Sequence, residues 1–286
     1  MNTSLRREVI LSSGVRTGFL LAFTLAVSVL SANSQDADVK GYFEKWFDRV
    51  NRTQAAQPHW ITPLFTTTPR LEEEFRSDIT WTPTPAGNDM NYGGGKGLEL
   101  IPTEHIEIIA GVPPCLAPAA GENGFGNIPL TMKYRFMAGN EEHGNYIVSA
   151  FWAGSIPYGR FASRYGSITP TLAFGKGVHA FDFQSTISWT MPTGGRRTSG
   201  TPVLYNTAFQ YHVFRKLWPE AEINATFWPN GKLDGDKQVF FSPGLVAGRF
   251  HLWHRLGMSI GAGEQIALTH FHQYNHAKVL SVRFPF

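Results

Sequence analysis

Apolar and polar side chains alternate with a period of two along most of the chain beyond about residue 70. Between Ile128 and Phe136 every second residue is apolar, and Thr131, Lys133 and Arg135 lie between them. The same alternation recurs in 181–191, 221–227 and 255–260. Because successive side chains of a strand point to opposite faces, each segment predicts a strand with one apolar and one polar face.

About twelve such strands are predicted from the alternation and from the turn residues between them. They cover about 71–83, 94–102, 105–113, 126–137, 145–156, 165–174, 178–191, 202–214, 218–228, 238–249, 251–262 and 275–286. Many run to about ten residues, longer than typical strands of soluble sheets and close to the nine to eleven that cross a bilayer. Long connections follow the odd-numbered strands and short links follow most even-numbered ones, as in outer-membrane barrels.

A soluble sandwich or lipocalin-like barrel would show the same alternation with its apolar face turned inward. Strand length, aromatic residues near the strand ends and charges on the polar face favour the inverted arrangement. The predicted fold is therefore all-β, an antiparallel transmembrane β-barrel of about 12 strands preceded by a short amphipathic N-terminal helix. An even strand number places both chain ends on the periplasmic side.

Charged residues on the polar strand faces are the candidate lining of the barrel lumen. They are Glu72, Glu74, Arg76, Asp78, Glu107, Lys133, Arg135, Asp182, Glu222, Arg255 and Arg283. Acids and bases mixed in this way can pair across a wet bore and set the preference of a pore for ions or solutes.

The last predicted strand carries an apolar row formed by Leu280, Val282, Phe284 and Phe286. Bacterial outer-membrane barrels characteristically finish on such a row, which their assembly machinery reads. We therefore expect these residues to act as an outer-membrane terminal signal and the barrel-assembly machinery to be a partner.

The first residues have the pattern of an export signal. Arg6, Arg7 and Arg16 give a basic start, residues 17–30 form an apolar run too short for a stable membrane-spanning helix, and small residues follow at 32–34. A signal peptide is predicted over 1–34, a periplasmic segment over 35–58 and the outer-membrane barrel over 59–286.

An apolar stripe at helical spacing predicts an amphipathic helix from about Asp38 to Arg52. Its members are Val39, Phe43, Trp46, Phe47 and Val50. Such a helix could rest on the periplasmic membrane face, close the barrel mouth or pack on a partner.

Composition agrees with many strands joined by glycine turns. Charged residues make up 16% of the chain, aromatic residues 14%, and there are 29 glycines, a mixture unlike that of a disordered chain or a helical bundle. The net charge of +3 falls to about +1 without the predicted signal peptide, so no nucleic-acid partner is expected. The single cysteine, Cys115, excludes an internal disulfide.

Histidines near the C-terminus form the densest imidazole cluster of the chain. His270 and His272 would share one face of a strand, and with His276 they could form part of a metal site, but no cysteine or aspartate supports it. Outer-membrane lipid hydrolases often carry a His-x-Ser arrangement, whereas His272 stands two residues after His270. We expect no enzyme, no catalytic residues, no cofactor and no metal.

Several short segments resemble the outer-membrane barrels related to the phenol-degradation meta-pathway family, a porin-like group. Residues 124–127 (GFGN) lead into a strand that ends in 133–136 (KYRF), residues 191–194 (MPTG) close a later strand, and the terminal aromatic strand agrees. Where the family often has Asp, this chain has Asn127. The resemblance spans about residues 60–286 and implies a channel or transporter for small molecules, hydrophobic ones included.

The predicted function is an outer-membrane channel or transporter for small solutes, hydrophobic ones among them, through a charged barrel lumen. A lipid-modifying membrane enzyme and a non-conducting structural barrel remain alternatives. Expected partners are outer-membrane lipid and lipopolysaccharide, the barrel-assembly machinery and a small-molecule solute. The expected location is the bacterial outer membrane of a Gram-negative cell.

Overall fold

The structure, a computed structural model, describes residues 39–286. The predicted signal peptide lies outside the described residues. The chain divides into two units, one ending at Phe47 and the other running from Asp48 to Phe286.

Two short helices open the described chain, α1 (Val39–Glu44) and α2 (Trp46–Ala55). They cover the region in which one amphipathic helix was predicted, with a break at Lys45. In the first unit, the rings of Phe43 and Trp46 lie 5.3 and 5.8 Å from that of Tyr42. Among residues 39–286, no helix combines the length and the hydropathy that a membrane span requires.

Sixteen strands follow. They are β1 (Glu74–Thr84), β2 (Gly87–Tyr92), β3 (Gly97–Thr103), β4 (Ile106–Ala110), β5 (Cys115–Ala117), β6 (Gly124–Phe125), β7 (Ile128–Gly139), β8 (Tyr146–Ile156), β9 (Ser167–Val178), β10 (Phe181–Trp189), β11 (Met191–Pro192), β12 (Val203–Tyr211), β13 (Leu217–Phe227), β14 (Lys237–Trp253), β15 (Leu256–Ala267) and β16 (His276–Pro285). A 3₁₀ turn (Glu141–His143) and a short helix, α3 (Arg196–Ser199), lie in connections.

Twelve of these strands form a closed antiparallel barrel, in the order β1, β3, β4, β7, β8, β9, β10, β12, β13, β14, β15, β16. Pairing of β16 with β1, from Glu74 opposite Pro285 to Trp81 opposite Lys278, closes the ring. The predicted twelve-stranded barrel is confirmed. The small strands β2, β5 and β6 extend one end of β1, and β11 extends the pairing of β9.

The apolar rows face outward and the polar rows face the barrel interior. On β9, Leu172 is 59% exposed and Phe174 45%, whereas their neighbours Thr171 and Ala173 are buried. Lys133 on β7 is fully buried between the exposed Tyr134 and the half-buried Met132. Closure gives each of the twelve barrel strands a partner on both sides, as backbone groups in lipid require.

Connections at the two barrel ends differ in length. One end, here the short-turn end, carries tight links such as His179–Ala180 between β9 and β10, the start of β1 and the end of β16. The other, the long-loop end, carries the connections 85–96, 111–127, 157–166, 190–202, 228–236 and 268–275. The alternation follows the sequence prediction.

Arg255 is the exception among the candidate lumen residues, and its assignment to the lumen was wrong. It is exposed in the two-residue turn between β14 and β15. The preceding turn residue, His254, has a φ of 47°. The alternation of β15 therefore begins only at Leu256, one residue after Arg255, which had been assigned to the polar row.

Candidate functional site

Residues 57–73, between α2 and β1, lie inside the barrel and are here called the plug segment. Pro58, Pro63 and Pro69 interrupt it, and because proline has no backbone N–H the segment cannot continue a strand ladder. Nearly all of its residues are buried. The segment begins and ends at the short-turn end, since Asn140 of the β7–β8 turn donates to the Ala55 carbonyl and the Phe286 N–H donates to the Glu73 carbonyl.

Carboxylates of the barrel wall accept the backbone N–H groups of the plug segment. Glu220 accepts from the N–H of Leu64 at 3.0 Å. Glu222 accepts from the next two N–H groups, at 2.8 and 2.5 Å. Glu107 accepts from the N–H of Glu72 at 2.7 Å. These side chains satisfy buried backbone donors that have no sheet partner.

Guanidinium groups of the wall donate to the carbonyls of the same segment. Arg76 Nη1 and Nη2 lie 3.1 and 2.5 Å from the carbonyl oxygens of Pro63 and Leu64. Arg283 donates to the carbonyls of Thr62 and Pro63. Wall and plug segment are therefore joined by charge-assisted hydrogen bonds to main-chain atoms, which are stronger than neutral ones.

Buried ion pairs complete this charged half of the interior. Arg70 of the plug segment lies 2.8 Å from Glu72, and both side chains are nearly inaccessible. On the wall, Lys133 Nζ lies 2.9 Å from Glu107 and 3.8 Å from Glu99, and all three are fully buried. Lys133 also donates to the Arg70 carbonyl, at 3.1 Å. Buried charges are costly unless they are paired, so these groups depend on one another.

Trp60 shows how the wall makes room for a large plug side chain. A Cβ at Gly175 would lie 2.6 Å from Cζ3 of the Trp60 ring, and one at Gly177 would lie 2.7 Å from its Nε1. Real Cβ contacts do not come so close. Trp60 therefore fits because β9 presents glycines at these two inward positions.

The long-loop half of the interior contains open space. A cavity of about 460 Å³ lies above Leu64, Phe65, Thr66 and Thr67 of the plug segment. Its wall is rich in hydroxyl and amide groups. These groups belong to Thr80, Thr131, Thr169, Thr171, Thr186, Ser188 and Asn206, and the charged Arg76, Asp78 and Lys96 also line the cavity. A second cavity of about 450 Å³ shares Phe65 and Thr80 with the first and reaches Phe161 and Tyr274 of the long loops.

At the short-turn end, Glu141 holds the start of the plug segment. It accepts from the His59 backbone N–H and contacts His59 Nδ1, each at 2.7 Å. Burial alone would raise the pKa of Glu141, but the hydrogen bonds from His59 outweigh that effect and lower it. The ionised carboxylate is thus favoured while the plug segment is in place.

The structure places the candidate lumen residues together. All of them except Arg255 are buried inside the barrel, and most of them lie against the plug segment. Glu107 forms an ion pair with Lys133, and Arg76 forms one with Asp78 at 2.8 Å. Arg135 donates to the Thr53 carbonyl at 2.9 Å, and Asp182 accepts from Gln184. That they line a path for solutes stays a prediction.

Several charged residues of this site were missed by the sequence analysis. Arg70 precedes the predicted first strand, so strand periodicity gives no signal for it. Glu73 lies within the predicted strand 71–83 but on the face opposite Glu72 and Glu74, whereas the observed β1 begins only at Glu74. Glu99 and Glu220 occupy inward positions of β3 and β13 and follow the same alternation that identified Glu222. A stricter application of the period of two would have found these last two.

The terminal apolar row lies on the outer face of β16. Leu280, Val282 and Phe284 stand opposite Ile79, Ser77 and Phe75 of β1, and Phe286 follows the strand. The row therefore forms one side of the barrel seam. Its role as an assembly signal stays a prediction.

The C-terminal histidines do not converge on a metal site. His272 contacts the Thr269 carbonyl and Asn275 Oδ1 at 2.8 and 2.7 Å. His276 Nδ1 lies 2.8 Å from Glu264, and His270 is exposed. Over residues 39–286, no group of three His, Cys, Asp or Glu side chains could hold a metal ion.

No protein-family model and no curated protein sequence matches the chain. The fold is similar to that in the crystal structure of the COG4313 outer membrane channel from Pseudomonas putida F1, with a TM-score of 0.50 and 11% sequence identity over 74% of this chain and 94% of that chain. At this identity the likeness concerns the fold. The predicted link to the phenol-degradation meta-pathway family stays a prediction, whereas the resemblance to the barrel of an outer membrane channel is confirmed.

Proposed function

We propose that this protein is an outer-membrane channel for small solutes, hydrophobic ones included, whose charged bore is closed by residues 57–73. The observation that carries the proposal is the set of bonds between wall and plug segment. Charged wall groups such as Glu222 and Arg283 form hydrogen bonds with the main chain of the plug segment. Between its two ends this segment is held in the barrel by non-covalent contacts alone. Withdrawing that segment would leave a wide polar bore.

The outer face and the cavity support the same proposal. Exposed rows such as Leu172 and Phe174 on β9 match the apolar band of a barrel in lipid. The cavity of about 460 Å³ gives a solute from the long-loop side space down to Leu64. We propose that the short-turn end, with both ends of residues 74–286, faces the periplasm. The likeness to a channel rather than an enzyme also favours transport.

A non-conducting structural barrel is the second candidate, and the filled charged half of the interior favours it. Groups such as Lys133, Glu107 and Arg70 form a continuous buried network that could serve rigidity alone. The two functions differ in one respect. Only a channel has a state in which the plug segment leaves its site.

The test replaces residues 58–69 with a glycine-serine linker of equal length and leaves every wall residue unchanged. We expect small or rare openings from the unaltered protein in planar bilayers and large steps from the linker variant. A change in electrophoretic mobility on heating shows that the barrel is folded. A folded linker variant that never conducts would contradict the channel. An unaltered protein that never opens, beside a linker variant that conducts, would support the structural barrel.

Solute preference is read from the same two proteins in swelling liposomes, with polar and apolar solutes of equal size. Faster entry of apolar solutes would support the hydrophobic substrate class. Turnover of phospholipid is measured in parallel, with His270→Ala as control. Turnover that depends on His270 would favour the enzyme alternative.

A further inference from the structure

Three wall glycines form a depression on the inner face of two adjacent strands. Gly244 of β14 and Gly263 of β15 stand directly opposite each other, and Gly261 is the next inward position of β15. A Cβ at Gly244, Gly261 or Gly263 would lie 2.6, 2.7 or 2.7 Å from a Cδ atom of Leu64. We call these three glycines the Leu64 socket.

Leu64 fills this socket almost completely. It is 3% exposed and belongs to a buried apolar cluster with Ile61, Trp218, Val246 and Val279. The side chains of Leu64 and Ile61 therefore anchor the plug segment by burial of apolar surface, in addition to the charge-assisted hydrogen bonds of its backbone.

Hydrogen bonds hold the backbone of Leu64 on both sides of the socket. Its N–H donates to Glu220 and its carbonyl accepts from Arg76. Glu220 also lies beside the socket, since its Oε1 would be 3.2 Å from a Cβ at Gly244. The main-chain bonds therefore set the position at which the side chain meets the glycines.

We infer that Leu64 in its glycine socket is the latch of the gate, the contact whose release frees the tip of the plug segment. The inference rests on the proposed channel function and adds to it the site where closure is decided. Tightness is the reason. A Cβ at any of the three glycines would overlap the Cδ atoms of the seated Leu64, so a larger residue there would displace the Leu64 side chain from the position it holds in the closed state.

The experiment exchanges bulk between plug and wall in the full-length protein. Gly261→Ala, Gly263→Ala and Leu64→Ala are measured singly in planar bilayers. The double variant is Leu64→Ala/Gly261→Ala, because a Cβ at Gly263 would also meet the backbone oxygen of Pro243, at 2.9 Å. The matched control is Gly257→Ala on the same strand. Gly257 also faces inward, but a Cβ there would first meet Pro285, at 3.1 Å.

We expect each single latch variant to raise the open fraction by about tenfold or more, because it loses or blocks the seat of a buried leucine. The control should stay within about twofold of the unaltered protein, a difference of about half a kcal/mol. In the double variant a wall methyl group replaces the lost plug methyl groups in nearly the same place. Its open fraction should therefore fall back towards that of the unaltered protein.

Two results would overturn the latch. The first is that folded Gly261→Ala and Gly263→Ala variants show the same open fraction as the unaltered protein. The other is a double variant as open as its single parents. If a glycine variant does not fold, Leu64→Ala, which empties the same contact from the plug side, decides the question. The linker variant distinguishes the two proposals. If it conducts while the latch variants stay closed, the latch alone is refuted, and if the folded linker variant does not conduct, the channel is refuted.

Discussion

The two halves of the barrel interior satisfy their polar groups in different ways. In the short-turn half the wall presents acidic and basic side chains, and the plug segment occupies the space between them, as with Lys133 and Glu107. In the long-loop half the cavity wall presents mainly neutral groups such as Thr171 and Ser188, which bond to each other at 2.8 Å, with the charged Arg76, Asp78 and Lys96 also lining it. In the proposed channel, the charged groups hold the plug segment in place and the mainly hydroxyl-lined cavity admits the solute.

The largest expected difference between the halves concerns stability, and a single strand can test it. Lys133→Met removes the cation that pairs with Glu107 and should lower the free energy of unfolding by about 3–5 kcal/mol, because it leaves this buried carboxylate without its salt-bridge partner, whereas Glu99 keeps Lys96 at 3.6 Å. Thr131→Val, two residues away on the same face, should cost about 1 kcal/mol or less. Urea unfolding in liposomes measures both, and equal losses would mean that the halves do not differ in this respect.

Glu222 and Asn224 give the same comparison for closure. Glu222→Gln leaves one acceptor oxygen for the two N–H groups of Phe65 and Thr66, a loss of about 1.5–3 kcal/mol for a charged hydrogen bond, and should raise the open fraction by about tenfold. Asn224→Ala, the next inward position of β13, should leave the leak unchanged. Single-channel recordings measure both, and a leak from the Asn224 variant alone would reverse the assignment.

Thr171→Val tests the long-loop half for a small effect. The variant loses the hydrogen bond to Ser188, which should cost about 1 kcal/mol of stability and leave closure unaffected. Introduced into the linker variant, it should change the ratio of polar to apolar solute entry in liposome swelling. An unchanged ratio would place the solute path elsewhere.

The smallest expected effect is a dependence of closure on pH at the short-turn end. Because contact with His59 lowers the pKa of Glu141, this pair stabilises the seated plug segment above the ordinary carboxyl pKa, and the stabilisation is lost as the pH falls through the lowered pKa. Both side chains are about half exposed, so the leak should rise by at most about fivefold on acidification. Glu141→Gln should remove this component from the pH profile, and an identical profile would exclude it.

The barrel wall could be predicted from the sequence because its rule is local. Alternation identified the outward row of Leu130 and Tyr134 and the inward Lys133, and it erred at Arg255 because the turn ends the period there. The plug segment follows no period. Its prolines and threonines have no regular inward face, and its backbone partners, such as Glu220 and Glu222, lie more than 150 residues away.

Both ends of the plug segment lie at one mouth of the barrel, since Ala55 and Glu73 are each bonded near the short turns. Residues 57–73 therefore form a loop that enters and leaves the barrel through the same opening, so the loop can be withdrawn without passing a chain terminus through the bore. Tension on α2 from that side would withdraw the loop from the barrel interior. In the proposed channel, mechanical force applied on the N-terminal side would therefore be a direct way to open the bore.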